Sequence, residues 1–207
     1  MKKYRTYYKS PLGRILLESE ENHLTGLWFE NSEERCPDPA DQKTENSEWI
    51  LGEDGGQTHD IDNKCMAVKA VGHAFQKDGK CILGSINIPT VIIQAEKWLD
   101  IYFSGHEPDF MPEIRLEGTD FQMLIWKLLL DIPYGQTVTY GEIARQAAKI
   151  LGKERMSAQA VGGAVGKNPV SIIVPCHRVV GTGGKLTGYG GGIERKAALL
   201  ELEKISD

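Results

Sequence analysis

Residues 157–178 read SAQAVGGAVGKNPVSIIVPCHR. Ser157 is a residue type that caps helices by accepting a backbone N–H. The small residues over 158–166 then fit a short helix. Ile172, Ile173 and Val174 carry a short buried-strand pattern, and Pro175 closes it. Cys176-His177-Arg178 follows at once, a thiol beside an imidazole and a guanidinium. Neighbours on a regular strand face opposite sides, so Cys176 and His177 share one pocket only through a bend, which Pro175 supplies, or a bridging water.

Upstream of this run, Thr139-Tyr-Gly-Glu142 has capping-box spacing and opens a helix with Ile143, Ala144, Ala147 and Ile150 on its apolar face; Gly152 breaks it. Two short helices joined by a tight break, the second rich in small residues, read either as a helix-turn-helix or as a plain helical hairpin. Thr119-Asp-Phe-Gln122 is a second capping box, and Phe121, Leu124, Ile125, Leu128 and Leu129 recur at helical spacing behind it. Pro133-Tyr134-Gly135 makes a turn between the two. Downstream, 193–202 is helical by pattern.

Residues 108–112, bounded by two prolines, read as a linker, so the chain divides into 1–112 and 113–207. In the first part, 4–9, 14–18 and 24–29 are strand-like, with Ser10-Pro11-Leu12-Gly13 as a turn. Residues 30–64 are polar and rich in Asp, Glu, Gly and Pro, a long surface excursion; 65–90 are ambiguous. Residues 90–104 are helical, with Ala95, Trp98, Leu99, Tyr102 and Phe103 on one face and Gly105 as the stop.

The chain has 207 residues, 41% hydrophobic and 26% charged, the composition of a folded soluble protein. No apolar run reaches the ~20 residues of a membrane helix. The opening MKKYRTYYKSPLGR lacks the apolar core of a secretory signal. Cysteines at 36, 65, 81 and 176 form no CxxC pair and are too sparse for a disulfide scaffold, so a reducing cytoplasm is the expected setting. The net charge of −5 is uneven: 1–118 carry −8 and 119–207 carry +3. A polyanion partner is therefore open to the C-terminal part only.

PCHRV, preceded by Asn168-Pro169 and followed by Gly188-Tyr189-Gly190-Gly191-Gly192, resembles the active-site signature of the O6-alkylguanine-DNA alkyltransferases. The resemblance runs from about 119 to 203, through the TYGEIA helix and the AVGGAVGKNP segment; SPLGRILLESEENHLTGLWF is similar to the family's opening hairpin. It implies an α/β (α+β) protein: an N-terminal ribonuclease-H-like sheet domain and a C-terminal winged-helix-type, helix-turn-helix domain. It implies stoichiometric, irreversible transfer of an alkyl group from guanine O6, and from thymine O4, in DNA to Cys176. His177 would take the thiol proton through a water, and Glu203 would orient His177. Asn168 matches the family's hinge asparagine. Tyr140 matches the tyrosine that rotates the 3′ phosphate and gives a proton to the departing guanine. Val165, Val179, Tyr189 and Gly190 would form the base pocket, with the Cys176 and Val179 carbonyls and the Gly190 amide as its polar contacts, and Lys196 would support the loop. Gly141, Gln159, Gly163 and Thr182 would contact DNA, the second helix entering the minor groove behind small residues. The partner is double-stranded DNA, and the protein is expected to be a monomer without cofactor.

Two features depart from the family pattern: Gln159 stands where the resemblance calls for an intercalating arginine, and the polar stretch over 30–80 is long. Zinc is not expected at Cys36, Cys65, Cys81, His59 and His73, whose spacing fits no zinc motif. Three other functions share some of these residues. A Cys-His-Glu hydrolase would usually draw Cys and His from distant segments. A lesion sensor of similar fold would lack the cysteine, and a plain transcription regulator leaves PCHR unexplained.

Overall fold

The computed structural model describes residues 3–30, 49–51, 74–77, 80–83 and 88–204. Strands β1 (Lys3–Ser10), β2 (Gly13–Glu20) and β3 (His23–Phe29) form an antiparallel meander. A short β4 (Trp49–Leu51) joins β1 in parallel, giving the order β3-β2-β1-β4. That strand lies inside the stretch expected to be a surface excursion, whose other residues from 31 on fall outside the described ones. The ambiguous segment holds a hairpin, β5 (Ala74–Lys77) with β6 (Lys80–Leu83). Helix α1 (Thr90–Phe103) packs Val91, Ile92, Ala95, Trp98, Leu99 and Tyr102 inward, and Gly105 follows at a φ of 85°.

Past the proline-bounded segment, Ile114 bridges to Leu24, and Leu24 and Arg115 complete backbone hydrogen bonds along β3. Helix α2 (Asp120–Leu130) starts on Thr119 with both arms of its capping box formed. A two-residue strand β7 (Val138–Thr139) leads into α3 (Tyr140–Ile150), capped the same way by Thr139 and Glu142. The inward face of α3 is Ile143, Ala144, Ala147 and Ala148; Ile150, expected on it, is 59% exposed. Ser157 caps α4 (Ala158–Val165) through the Gln159 amide. The Trp126 indole donates to the Ala164 carbonyl at 2.9 Å and ties α4 to α2. β8 (Val179–Val180) pairs with β7, and α5 (Ile193–Leu202) closes the described chain.

The predicted strand at Ile172–Val174 is absent. These residues are buried, but they form a turn in which Ile172 takes a φ of 70°. A short apolar run reports burial without fixing conformation, and the turn is held instead by Asn168: Oδ1 accepts from Val170 N, and Nδ2 donates to Val174 O at 2.8 Å. One continuous apolar core runs from Tyr4, Ile15 and Phe29 through α1 and α2 to Val174 and Leu199.

Thr139 accepts the Glu142 amide while Glu142 accepts the Thr139 amide. Thr139→Ala should lower unfolding free energy by about 1 kcal/mol, read as a lower urea midpoint at unchanged slope, and Thr139→Ser should restore most of it.

Candidate active site

Pro175 ends the buried turn and the chain enters a single 3₁₀ turn, Cys176–Arg178. This resolves the geometric problem of adjacent Cys and His: the two are not strand neighbours, and each side chain leaves the turn in its own direction. Cys176 is buried, and its Sγ accepts from Asn168 Nδ2 at 3.2 Å. His177 is fully buried, and its Nε2 lies 2.7 Å from Glu203 Oε1.

Glu203, the C-cap of α5, is 3% exposed, so its charge needs compensation. Arg178 supplies it with Nε at 2.9 Å from Oε2 and Nη2 at 3.0 Å from Oε1, while its Nη1 donates to the Ile132 carbonyl. The Gly135 amide donates to Oε2 at 3.1 Å and the Tyr102 hydroxyl to Oε1 at 2.8 Å. Burial opposes ionisation of Glu203, but hydrogen bonds and charge from His177 and Arg178 outweigh it and hold the carboxyl at about 2. Burial pushes the His177 imidazole down, and the charges of Arg178 and Lys196 push the same way against the pull of Glu203. His177 is therefore neutral at rest. A carboxylate only accepts, so the ring proton sits on Nε2. Nδ1 is then a lone pair, buried and without a protein partner.

Lys196 is also fully buried. Its Nζ donates to the carbonyls of Val179 at 2.5 Å and Thr187 at 2.9 Å. Burial lowers it to about 8, opposed by negative charge at Cys176. A cavity of about 500 Å³ opens over Cys176, lined by Tyr140, Gln159, Gly162, Val165, Gly188, Tyr189 and Gly190 among others. The Tyr140 hydroxyl reaches the Gly188 carbonyl at 3.4 Å. Burial raises this phenol; its contact with Thr187 opposes that, and negative charge at Cys176 adds to it. A larger cleft of about 980 Å³ lies across the glycine loop, between Leu12 and Arg195, and does not reach Cys176.

The structure thus gathers Cys176, His177, Glu203, Asn168 and Lys196 in one buried cluster and places Tyr140, Gln159, Val165, Tyr189 and Gly190 around the cavity above it. Val179 does not line the cavity: its side chain is in the core and its carbonyl is taken by Lys196. Gly141, Gly163 and Thr182 lie outside the cavity lining; Gly163 and Thr182 are exposed. Arg178, two residues from the thiol in sequence, is committed to Glu203. Tyr102, Tyr134 and Gly135 carried no local signal of a site, yet Tyr102 and Gly135 bond Glu203, and Tyr134 packs edge-on against Tyr102 with Arg178 over its ring. Among the described residues no three metal-ligating side chains converge. The zinc candidates Cys36, Cys65, His59 and His73 lie outside them, as does the side chain of Cys81. No helix among them is long and apolar enough to cross a membrane.

Comparison with known families agrees with this architecture. Residues 120–205 match the DNA-binding domain of 6-O-methylguanine DNA methyltransferase, and residues 3–65 match the ribonuclease-like domain of the same proteins. Fold and site therefore define the class, a two-part 6-O-methylguanine DNA methyltransferase with a buried cysteine. A methylated-DNA–protein-cysteine methyltransferase of Methanosarcina barkeri is 37% identical over 201 residues, covering 97% of each chain. One from Mycobacterium tuberculosis is 60% identical over 116 residues, 56% of this chain and 67% of that one. The crystal structure of Mycobacterium tuberculosis OGT in complex with DNA superposes with a TM-score of 0.67 at 37% identity, covering 98% of this chain and 93% of that one. The chain belongs to the 6-O-methylguanine DNA methyltransferase family.

Glu203 contributes stability that is fully present above its ordinary value near 4.5 and lost as pH falls through about 2. Glu203→Gln should therefore be less stable than the parent at pH 7 by on the order of 3 kcal/mol, and the gap should close as pH approaches 2. Urea midpoints across pH check this; a gap independent of pH contradicts it.

Proposed function

We propose that this chain repairs DNA by taking the alkyl group of an O6-alkylguanine onto Cys176, once per molecule. The activity is that of a methylated-DNA–protein-cysteine methyltransferase. The observation that carries the reading is the pairing of a buried thiol with a histidine whose Nε2 is committed to Glu203 and whose Nδ1 is a free base. In the reaction, Nδ1 takes the thiol proton through a water, and sulfur attacks the alkyl carbon. A C–S bond forms as the C–O6 bond breaks, the electron pair returns to guanine, and guanine recovers one proton from Tyr140. The thioether has no leaving group suited to hydrolysis, so the molecule is spent.

Several features support the binding side of this reading. The cavity over Cys176 suits a base removed from the stack, an extrusion that costs a few kcal/mol. Gly190 lines its wall, and a backbone amide there would meet charge developing on O6. Helix α4 presents its bare face beside that cavity. Gly163 has nothing within 4 Å of where a Cβ would sit and no unusual φ, so the fold does not require glycine there. A helix interior bears glycine at a cost of about 1 kcal/mol relative to alanine, which makes sense if a minor groove must approach the backbone. Gln159, at the cavity mouth, fills the gap left by the base, and Gly141 and Thr182 contact phosphates. A cytoplasmic monomer acting without cofactor completes the proposal.

The direct test is incubation with duplex containing O6-methylguanine, followed by intact mass. One added methylene equivalent on Cys176, absent in Cys176→Ala, is expected; an unlabelled, folded protein refutes the reading. His177→Ala should slow transfer far more than it weakens DNA binding. Gly163→Leu should keep the thermal midpoint at or above the parent's while duplex affinity falls tenfold or more, by roughly 1.4 kcal/mol at least. Gln159→Arg should tighten duplex binding or speed transfer; unchanged kinetics would remove Gln159 from the role of gap-filler.

A further inference from the structure

Tyr102 belongs to α1, in the part of the chain that precedes the proline-bounded segment and that the sequence assigned no share of the chemistry. Its ring is fully buried, stacked on Trp98 at 5.2 Å and edge-on to Phe103 and Tyr134. Packing of that kind needs a ring but no hydroxyl. The hydroxyl nevertheless reaches 75 residues along the chain, to within 3.3 Å of His177 Nε2, and donates to Glu203 Oε1 at 2.8 Å. Oε1 is the same oxygen that accepts the His177 Nε2–H.

We propose that Tyr102 is a positioning residue for the transfer reaction, through which the N-terminal part of the chain sets the basicity of His177. Tyr102 and His177 share one acceptor, Glu203 Oε1. Each donor to Oε1 draws off charge that would otherwise stabilise an imidazolium, and charge-assisted bonds are the strong ones. Tyr102 remains a donor throughout, because burial first, and then the charge and hydrogen bond of Glu203, push its phenol well above the usual range. Its oxygen, close to Nε2, also limits how the ring can turn and so keeps Nδ1 as the free nitrogen. The other charged or titratable groups around His177 are Cys176 and Arg178 on its own turn, Lys196 and Glu203 from α5 and the segment just after it, and Tyr134 from the loop after α2. Among the described residues none of these comes from the N-terminal part, where Tyr102 is the one that reaches the relay.

The proposal deepens the alkyl-transfer reading and depends on it for its kinetic arm only. Tyr102→Phe keeps the ring and deletes the hydroxyl. With one donor fewer on Oε1, the His177 titration midpoint, followed by ¹⁵N NMR of labelled imidazole without DNA, should move up by roughly half to one unit. The acid limb of the transfer rate on O6-methylguanine duplex should move up equally, a loss of about 3- to 10-fold on that limb. The alkaline plateau should change less than about twofold, and lesion-duplex affinity, measured on a Cys176→Ser background, should not change. Site-specific 3-fluorotyrosine at position 102, a stronger donor, should move both midpoints down. Unmoved midpoints in both variants, or a rate loss uniform across pH with a lower thermal midpoint, would reduce Tyr102 to packing and overturn the proposal. Because the NMR titration involves no lesion, its failure is separable from a failure of transfer itself.

Discussion

A carboxylate buried to 3% exposure carries a desolvation penalty of several kcal/mol unless its lone pairs are filled and its charge is met. Glu203 satisfies that condition through four partners drawn from three places: Arg178 and His177 from the active-site turn, the Gly135 amide from the loop after α2, and Tyr102 from α1. Each partner is thereby fixed. Arg178 holds the loop after α2 through the Ile132 carbonyl, Gly135 holds the turn that leads to β7, and His177 is left with one tautomer and one free nitrogen. The chemistry at Cys176 is a consequence of how this one charge is accommodated.

The same economy joins the two parts of the chain. Leu27 exchanges backbone hydrogen bonds with Pro169 and Ser171, so the outer strand of the sheet runs alongside the segment that carries Asn168. Arg195 of α5 donates to the Leu12 carbonyl in the β1–β2 turn and to the Gly191 carbonyl, with its guanidinium over Phe29. Gly191 is required at its position, because a Cβ there would lie 2.6 Å from the Tyr189 ring and 3.0 Å from Phe29. The sheet therefore buttresses the buried turn before the nucleophile and the glycine loop beyond it, and Lys196 pins that loop from beneath.

What could be read from the sequence follows the range over which each signal acts. The capping boxes at Thr119 and Thr139 and the cap at Ser157 span three residues or fewer, and each helix starts where they indicate. Cys176 and His177 were legible because the thiol and the imidazole are neighbours and the flanking residues match a family. Glu203 was legible only through that resemblance, since a lone carboxylate at a helix end has no local mark. Tyr102 and Gly135 were not, because their partner lies 101 and 68 residues away. The buried run Ile172–Val174 has the pattern of a strand and folds as a turn, because apolarity encodes burial and not φ. Short β4 was hidden in a polar stretch, where its pairing with β1 and not its composition defines it.

The reactivity of Cys176 depends on where the imidazole proton of His177 sits. In protein carrying ¹⁵N-labelled histidine at neutral pH, His177 should show a protonated Nε2 with one-bond proton coupling and an unprotonated Nδ1. A proton on Nδ1 with a bare Nε2, or protons on both nitrogens, would contradict the arrangement from which the reactivity of Cys176 has been derived.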